Sequence, residues 1–103
     1  SLPQPHRDLA TIRATTLEFD ALKPEEIIAR LQPLAQSGQP WFGSAGELTA
    51  MAYLRQNQPA QAGKLFAAIA ADPQVPATIR SRAVQIAGTL GVDASASLPG
   101  ISQ

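Results

Sequence analysis

Proline sets the frame of this chain. Pro24, Pro40, Pro59 and Pro76 each stand at or just before the start of an amphipathic run, with gaps of 16, 19 and 17 residues between them. At the first position of a helix a proline costs nothing, because that N–H has no intrahelical partner and the fixed φ is already helical. Every second proline lies 35 or 36 residues from its counterpart. A helix and a turn every ~17 residues, paired into a unit of ~34, is the period of an array of helical hairpins.

The spacing of apolar residues predicts five helices between these marks. The first runs from about His6 to Phe19 with Leu9, Ile12 and Thr16 on one stripe. The second runs from Pro24 to about Ala35 on Ile27, Ile28, Leu31 and Leu34, with Glu25 and Glu26 in its first turn, where they favour the helix dipole. Pro33 falls inside that run and is expected to bend or tighten its last turn, before Gly38 stops it. The third, from Pro40 to about Gln56, is expected to bury Trp41, Ala45, Leu48 and Ala52. The fourth, Pro59 to about Ala71, buries Ala62, Leu65, Phe66 and Ile69. The fifth, Pro76 to Leu90, places Ile79, Ala83, Ile86 and Leu90 on one side, with Gly91 as its cap and Val92 folding back on the last turn. The domain therefore spans 1–92, and "DASASLPGISQ" (93–103) reads as a disordered tail.

Composition agrees with an all-α chain and narrows what it does. Nineteen of 103 residues are alanine, which favours helix and lets helices approach closely. Valine and isoleucine never alternate with polar residues as a strand requires. Eight basic and eight acidic residues balance, which removes the footprint of a nucleic-acid binder, and no polybasic run suits an anionic membrane. No cysteine is present, so disulfides and thiolate metal sites are excluded. No apolar run reaches the ~18 residues that a membrane span needs.

Within "QPWFGSAGELTAMAYLRQNQPAQAGKLF", Ala50, Tyr53, Ala62 and Phe66 stand at offsets 0, 3, 12 and 16. These are the small, aromatic, small and aromatic positions of a tetratricopeptide repeat. Two antiparallel helices cross closely when each offers a small residue, and the aromatics fill the wedge beside the crossing. Overlaid by its proline, the preceding pair has Ile27 where Ala62 stands and Glu18 where Tyr53 stands, so its helices are expected to sit further apart. The architecture expected is two antiparallel pairs of tetratricopeptide-like hairpins and a C-terminal capping helix.

The segments "HRDLATIRATT" and "LQPLAQSGQPWFGSAGELTAMAYLRQNQPAQAGKLFAAIAADPQVPATIRSRAVQIAGTLG" carry a further resemblance, through "RDLA", "GQPW", "ELTA" and "PATIRSRA". The chain resembles, from His6 to Gly91, the tetratricopeptide-like domain of the ancillary SecYEG translocon subunit family, in particular its alphaproteobacterial members. The resemblance implies the C-terminal portion of a protein with a short cytoplasmic N-terminus, one membrane span upstream and a helical domain on the periplasmic side of the inner membrane. It further implies association with the translocon and with periplasmic chaperoning or envelope assembly, and it brings no catalytic residues. That the chain starts at Ser1 fits an excised portion.

Candidate sites are few. His6, the only histidine, has no carboxylate or histidine one helical turn away to complete a metal site, and no metal or cofactor is expected. Asp8, Glu18 and Asp20 have nothing nearby to desolvate them as acid or base. Ser37, Ser44 and Ser81 lack a nucleophile elbow, and the seven glycines form no phosphate cradle. Three residues are candidates for binding a protein. Trp41 is either an aromatic anchor or packing against the second helix. Arg80 and Arg82 stand near the start of the fifth helix, where a cation opposes the dipole. Each is expected to meet an internal carboxylate such as Glu47 or Asp72, or else to bind an acidic peptide.

The leading expectation is a non-enzymatic interaction domain that takes a peptide or a helix of another protein. The alternative is a self-association module with no peptide groove. The first helix spreads Leu9, Ile12, Leu17, Phe19 and Leu22 around its circumference, so a homodimer through that helix is expected.

Overall fold

The computed structural model describes residues 3–91, and over them the chain is all-α: α1 (Gln4–Glu18), α2 (Pro24–Leu31), α3 (Phe42–Arg55), α4 (Pro59–Ala71) and α5 (Ala77–Thr89). No strand occurs among the described residues. The expected contact of Val92 and the tail at 93–103 lie outside them.

Each proline marker stands at or just before a helix start, in three different ways. Pro24 and Pro59 occupy the first helical position, as expected, whereas Pro76 is the N-cap of α5. Pro40 is not in α3 at all. The Phe42 N–H donates to the Gln39 carbonyl at 3.1 Å, and Trp41 has φ −105° and ψ 17°. That is the third position of a type I turn, whose second position favours proline. α3 therefore begins two residues later than expected. Pro33 ends α2 at Leu31, short of the expected Ala35; Leu34 and Ala35 both donate to the Leu31 carbonyl at 2.9 Å, so the last turn tightens around the missing N–H. Gly38, at φ +91°, then reverses the chain.

The turn "QNQP" between α3 and α4 has its own mechanism. Asn57 sits in the left-handed region at φ 59°. Its N–H donates to Leu54, and the N–H of Gln58 donates to Tyr53, both at 2.9 Å. These are the two bonds of a Schellman cap, with asparagine in place of the commoner glycine. Pro59 follows at once and opens α4, so the hairpin closes in three residues.

α3 lies against all four other helices and joins two cores. Phe42 and Ala50 face Ala62, Phe66, Ile69, Val75, Ala83 and Ala87 of α4, α5 and their connection. Ala45 and Ala52 face Ile12, Ile27, Leu31 and Leu34 of α1, α2 and the turn after α2. The four residues at repeat spacing, Ala50, Tyr53, Ala62 and Phe66, meet in the first core, with Ala50, Ala62 and Phe66 fully buried. α1 and α2 meet over a shorter stretch than α3 and α4 do. The body measures 48 × 30 × 18 Å, about two helix layers thick.

Packing changes the identity of several core residues. Of the two adjacent aromatics Phe42 is the buried one, 3% exposed, while Trp41 is only half-buried. The late start of α3 moves Trp41 out of the helix to its N-cap. Leu48, Leu65, Ile79, Ile86 and Leu90 are half-buried as well, and the small Ala83 and Ala87 take the interior of α5. On α1 the inward residue is Thr15 rather than Thr16. Its hydroxyl donates to the Thr11 carbonyl at 2.7 Å, which satisfies it without a tertiary partner.

Candidate functional site

Two hollows stand on either side of α3. The first is a groove of about 430 Å³ with α3 as its floor, between the end of α2 and α4. Ile28, Gln32, Ala35 and Gln36 form one wall, Gln61, Lys64, Leu65 and Ala68 the other, and Thr49 and Tyr53 the base. α2 and α4 each pack on α3 and barely meet one another, which leaves the groove between them. The Thr49 hydroxyl donates to the Ala45 carbonyl at 2.8 Å, so that donor is engaged within α3. The Gln36 amide donates to the Gln32 carbonyl at 2.9 Å. Lys64 is exposed, with no carboxylate within 4 Å among the described residues. A groove of this kind holds an extended chain through apolar side chains and side-chain amides; its titratable groups are Tyr53 and Lys64, and no carboxylate or imidazole lines it among the described residues.

The second hollow, about 470 Å³, opens between the start of α3 and the connection from α4 to α5. Trp41, Pro40, Val75, Pro76 and Ile79 give it an apolar lining, and Ser44, Asp72 and Gln74 a polar edge. Asp72 is held locally, accepting the Gln74 N–H at 2.9 Å. Trp41 borders this hollow on one side and packs on the α1–α2–α3 core on the other; its indole N–H is buried without a partner. Gly43 is needed here, since a Cβ on it would come within 2.8 Å of Val75.

The two arginine candidates part company. Arg82 finds the internal carboxylate: its Nε donates to Glu47 Oε2 at 2.5 Å and its Nη2 to Oε1 at 2.9 Å, a bidentate pair that ties α5 to α3. The hydrogen bond to Glu47, and then its charge, raise the Arg82 pKa above its ordinary value. Arg80 has no ion pair among the described residues, and its buried Nε has no hydrogen-bond partner. The structure thus does not gather Trp41, Arg80 and Arg82 into one site. Of the acidic residues considered, Glu18 pairs with Arg30 at 2.9 Å across α1 and α2, and Asp8 accepts from Gln4 within α1. On the same edge Arg55 donates to the Phe19 carbonyl at 2.7 Å, with its guanidinium 5.3 Å from the Phe19 ring centre.

Sequence spacing places Ile28, Tyr53 and Leu65 in helix packing and does not mark them as a site. Gln61, Leu65 and Ala68 share one face of α4, and Leu65 on that face is expected from spacing to be core but is half-buried and lines the groove. No group of His, Cys, Asp and Glu among the described residues is placed to hold a metal, and no helix among them is long and apolar enough to cross a membrane. No family model matches the chain, and no curated protein or solved structure matches it.

Proposed function

We propose that this chain is a non-enzymatic protein-interaction domain of the tetratricopeptide-like kind, which takes an extended polypeptide segment in the groove between α2 and α4. The observation that carries this reading is the groove itself: half-apolar walls that carry three glutamines and Lys64 over a helix floor. Glutamine amides each offer a donor and an acceptor and so match the backbone of an extended chain irrespective of sequence. The resemblance of "RDLA", "GQPW", "ELTA" and "PATIRSRA" to the translocon-associated family supplies the cellular half of the proposal. On that reading the domain stands on the periplasmic side of the inner membrane, held by an upstream span, and serves the Sec translocon, chaperoning or envelope assembly.

Titration of the 15N-labelled chain with end-capped octapeptides of mixed sequence tests the binding half. Amide shifts are expected to cluster at residues 28–36 and 61–68, and Leu65→Glu is expected to remove them. Shifts that are absent, or that are unchanged by Leu65→Glu, count against the proposal. An alkaline phosphatase fused to the C-terminus of the full-length protein tests location, since that reporter is active only outside the cytoplasm.

One observation favours self-association as a second reading. Leu17 is 88% exposed on α1, with Ala14 and Ala10 exposed on the same face one and two turns earlier. The other apolar residues of that region, Leu9, Ile12, Phe19 and Leu22, are at least half-covered, so any self-contact is narrower than the sequence suggested. Sedimentation velocity over a concentration series, with Leu17→Glu as control, decides it.

A further inference from the structure

The charges around the groove are unevenly disposed. Lys64 is the only charged residue of α4 and, among the described residues, the only one that lines the groove. Every charged residue of the two other bordering helices is otherwise engaged or lies at the far end. Glu25 and Glu26 stand in the first turn of α2, whereas the groove begins at Ile28 and uses the other end. Arg30 of α2 pairs with Glu18. On α3, Glu47 pairs with Arg82 and Arg55 is bonded to the Phe19 carbonyl. Lys64, which has no ion pair among the described residues, is thus the one cation that lines this half-apolar groove.

We infer that the segment held in this groove is acidic: it sets a carboxylate against Lys64 and an apolar side chain against Ile28, Leu65 and Ala68. Gln61 lies one turn before Lys64 on the same wall, so its amide can hold the backbone of the residue that bears the carboxylate. This inference rests on the proposal that the groove binds a polypeptide and specifies which one. Arg80 and Arg82, the cations that sequence offered for acidic peptides, do not line the groove, and Arg82 is already neutralised.

The test uses three end-capped octapeptides of alternating leucine and a variable residue, which is aspartate, asparagine or lysine. Binding to the 103-residue chain is followed by amide shifts at residues 61–68. The aspartate peptide is expected to bind about three- to fivefold more tightly than the asparagine one, the range of a half-exposed ion pair. The advantage is expected to shrink in 1 M salt. Lys64→Glu, a change at an exposed position that leaves the fold intact, is expected to reverse the order in favour of the lysine peptide. Equal binding of the aspartate and asparagine peptides, or an order unchanged by Lys64→Glu, overturns the inference while leaving peptide binding standing. If none of the three shifts the groove, the inference and the functional proposal fall together.

Discussion

A Cβ placed on Gly43 would lie 2.8 Å from Cγ1 of Val75, closer than real side chains come. Val75 is short and β-branched and has no flexible end to withdraw. Gly43→Ala is therefore expected to destabilise the chain by about 1–2 kcal/mol, the overpacking cost less the helix propensity gained. Gly88, in the last turn of α5, has nothing within 4 Å of such a Cβ. There the same substitution is expected to stabilise by about 0.5–1 kcal/mol. Urea unfolding of the two variants side by side checks both signs.

The pair Ala50 and Ala62 gives a second prediction. Both are fully buried in the core that joins α3 to α4. Ala62→Leu adds three carbons with no space to receive them and is expected to cost about 1–3 kcal/mol. An unchanged melting temperature would show that α3 and α4 do not cross closely at this point.

Asn57 separates two explanations of the α3–α4 turn. A left-handed conformation costs an ordinary L-residue about 1–2 kcal/mol, asparagine less and glycine nothing. Asn57→Ala is expected to destabilise by about 1 kcal/mol, and Asn57→Gly to be neutral within about 0.5 kcal/mol. Equal losses for both would point to a side-chain bond of Asn57 rather than to its backbone.

These residues also show where the sequence is legible. The five helices follow from proline placement and apolar spacing, because both act locally. Trp41 and Phe42 show the limit. Proline suits the first position of a helix and the second of a type I turn equally well, so Pro40 alone does not say which residue starts α3. A shift of two residues exchanges which aromatic faces inward. The groove lay further out of reach. It depends on how far α2 and α4 stand apart across α3, and no local pattern encodes that distance. Leu65 reads as core because helical spacing marks a face as apolar without saying what covers it.

Glu47 and Arg82 yield a prediction about magnitude. The geometry is bidentate, but the Arg82 side chain is 51% exposed and that of Glu47 19%. Solvent screens such a pair, so Glu47→Gln is expected to cost only about 0.5–1 kcal/mol, less in high salt. Because the pair ties α3 to α5 and does not line the groove, peptide affinity is expected to stay unchanged. A loss of affinity in Glu47→Gln would move the binding surface to the α3–α5 side.

The last prediction concerns the two adjacent aromatics. Phe42 fills the interior of the α3–α4–α5 core, and Phe42→Ala is expected to cost about 3–5 kcal/mol. Trp41 is half-buried, and its indole N–H is buried without an acceptor. Replacing it with phenylalanine removes that unpaired donor along with some apolar contact, and the two changes oppose each other. Trp41→Phe is therefore expected to shift stability by less than about 1 kcal/mol in either direction. Trp41 is the only tryptophan in the chain, so its emission reports the hollow beside α5. If peptides occupy the groove between α2 and α4, that emission is expected to stay constant while the amides of 61–68 shift. Quenching or a blue shift on titration would put the ligand against Trp41 instead and make the second hollow the binding site.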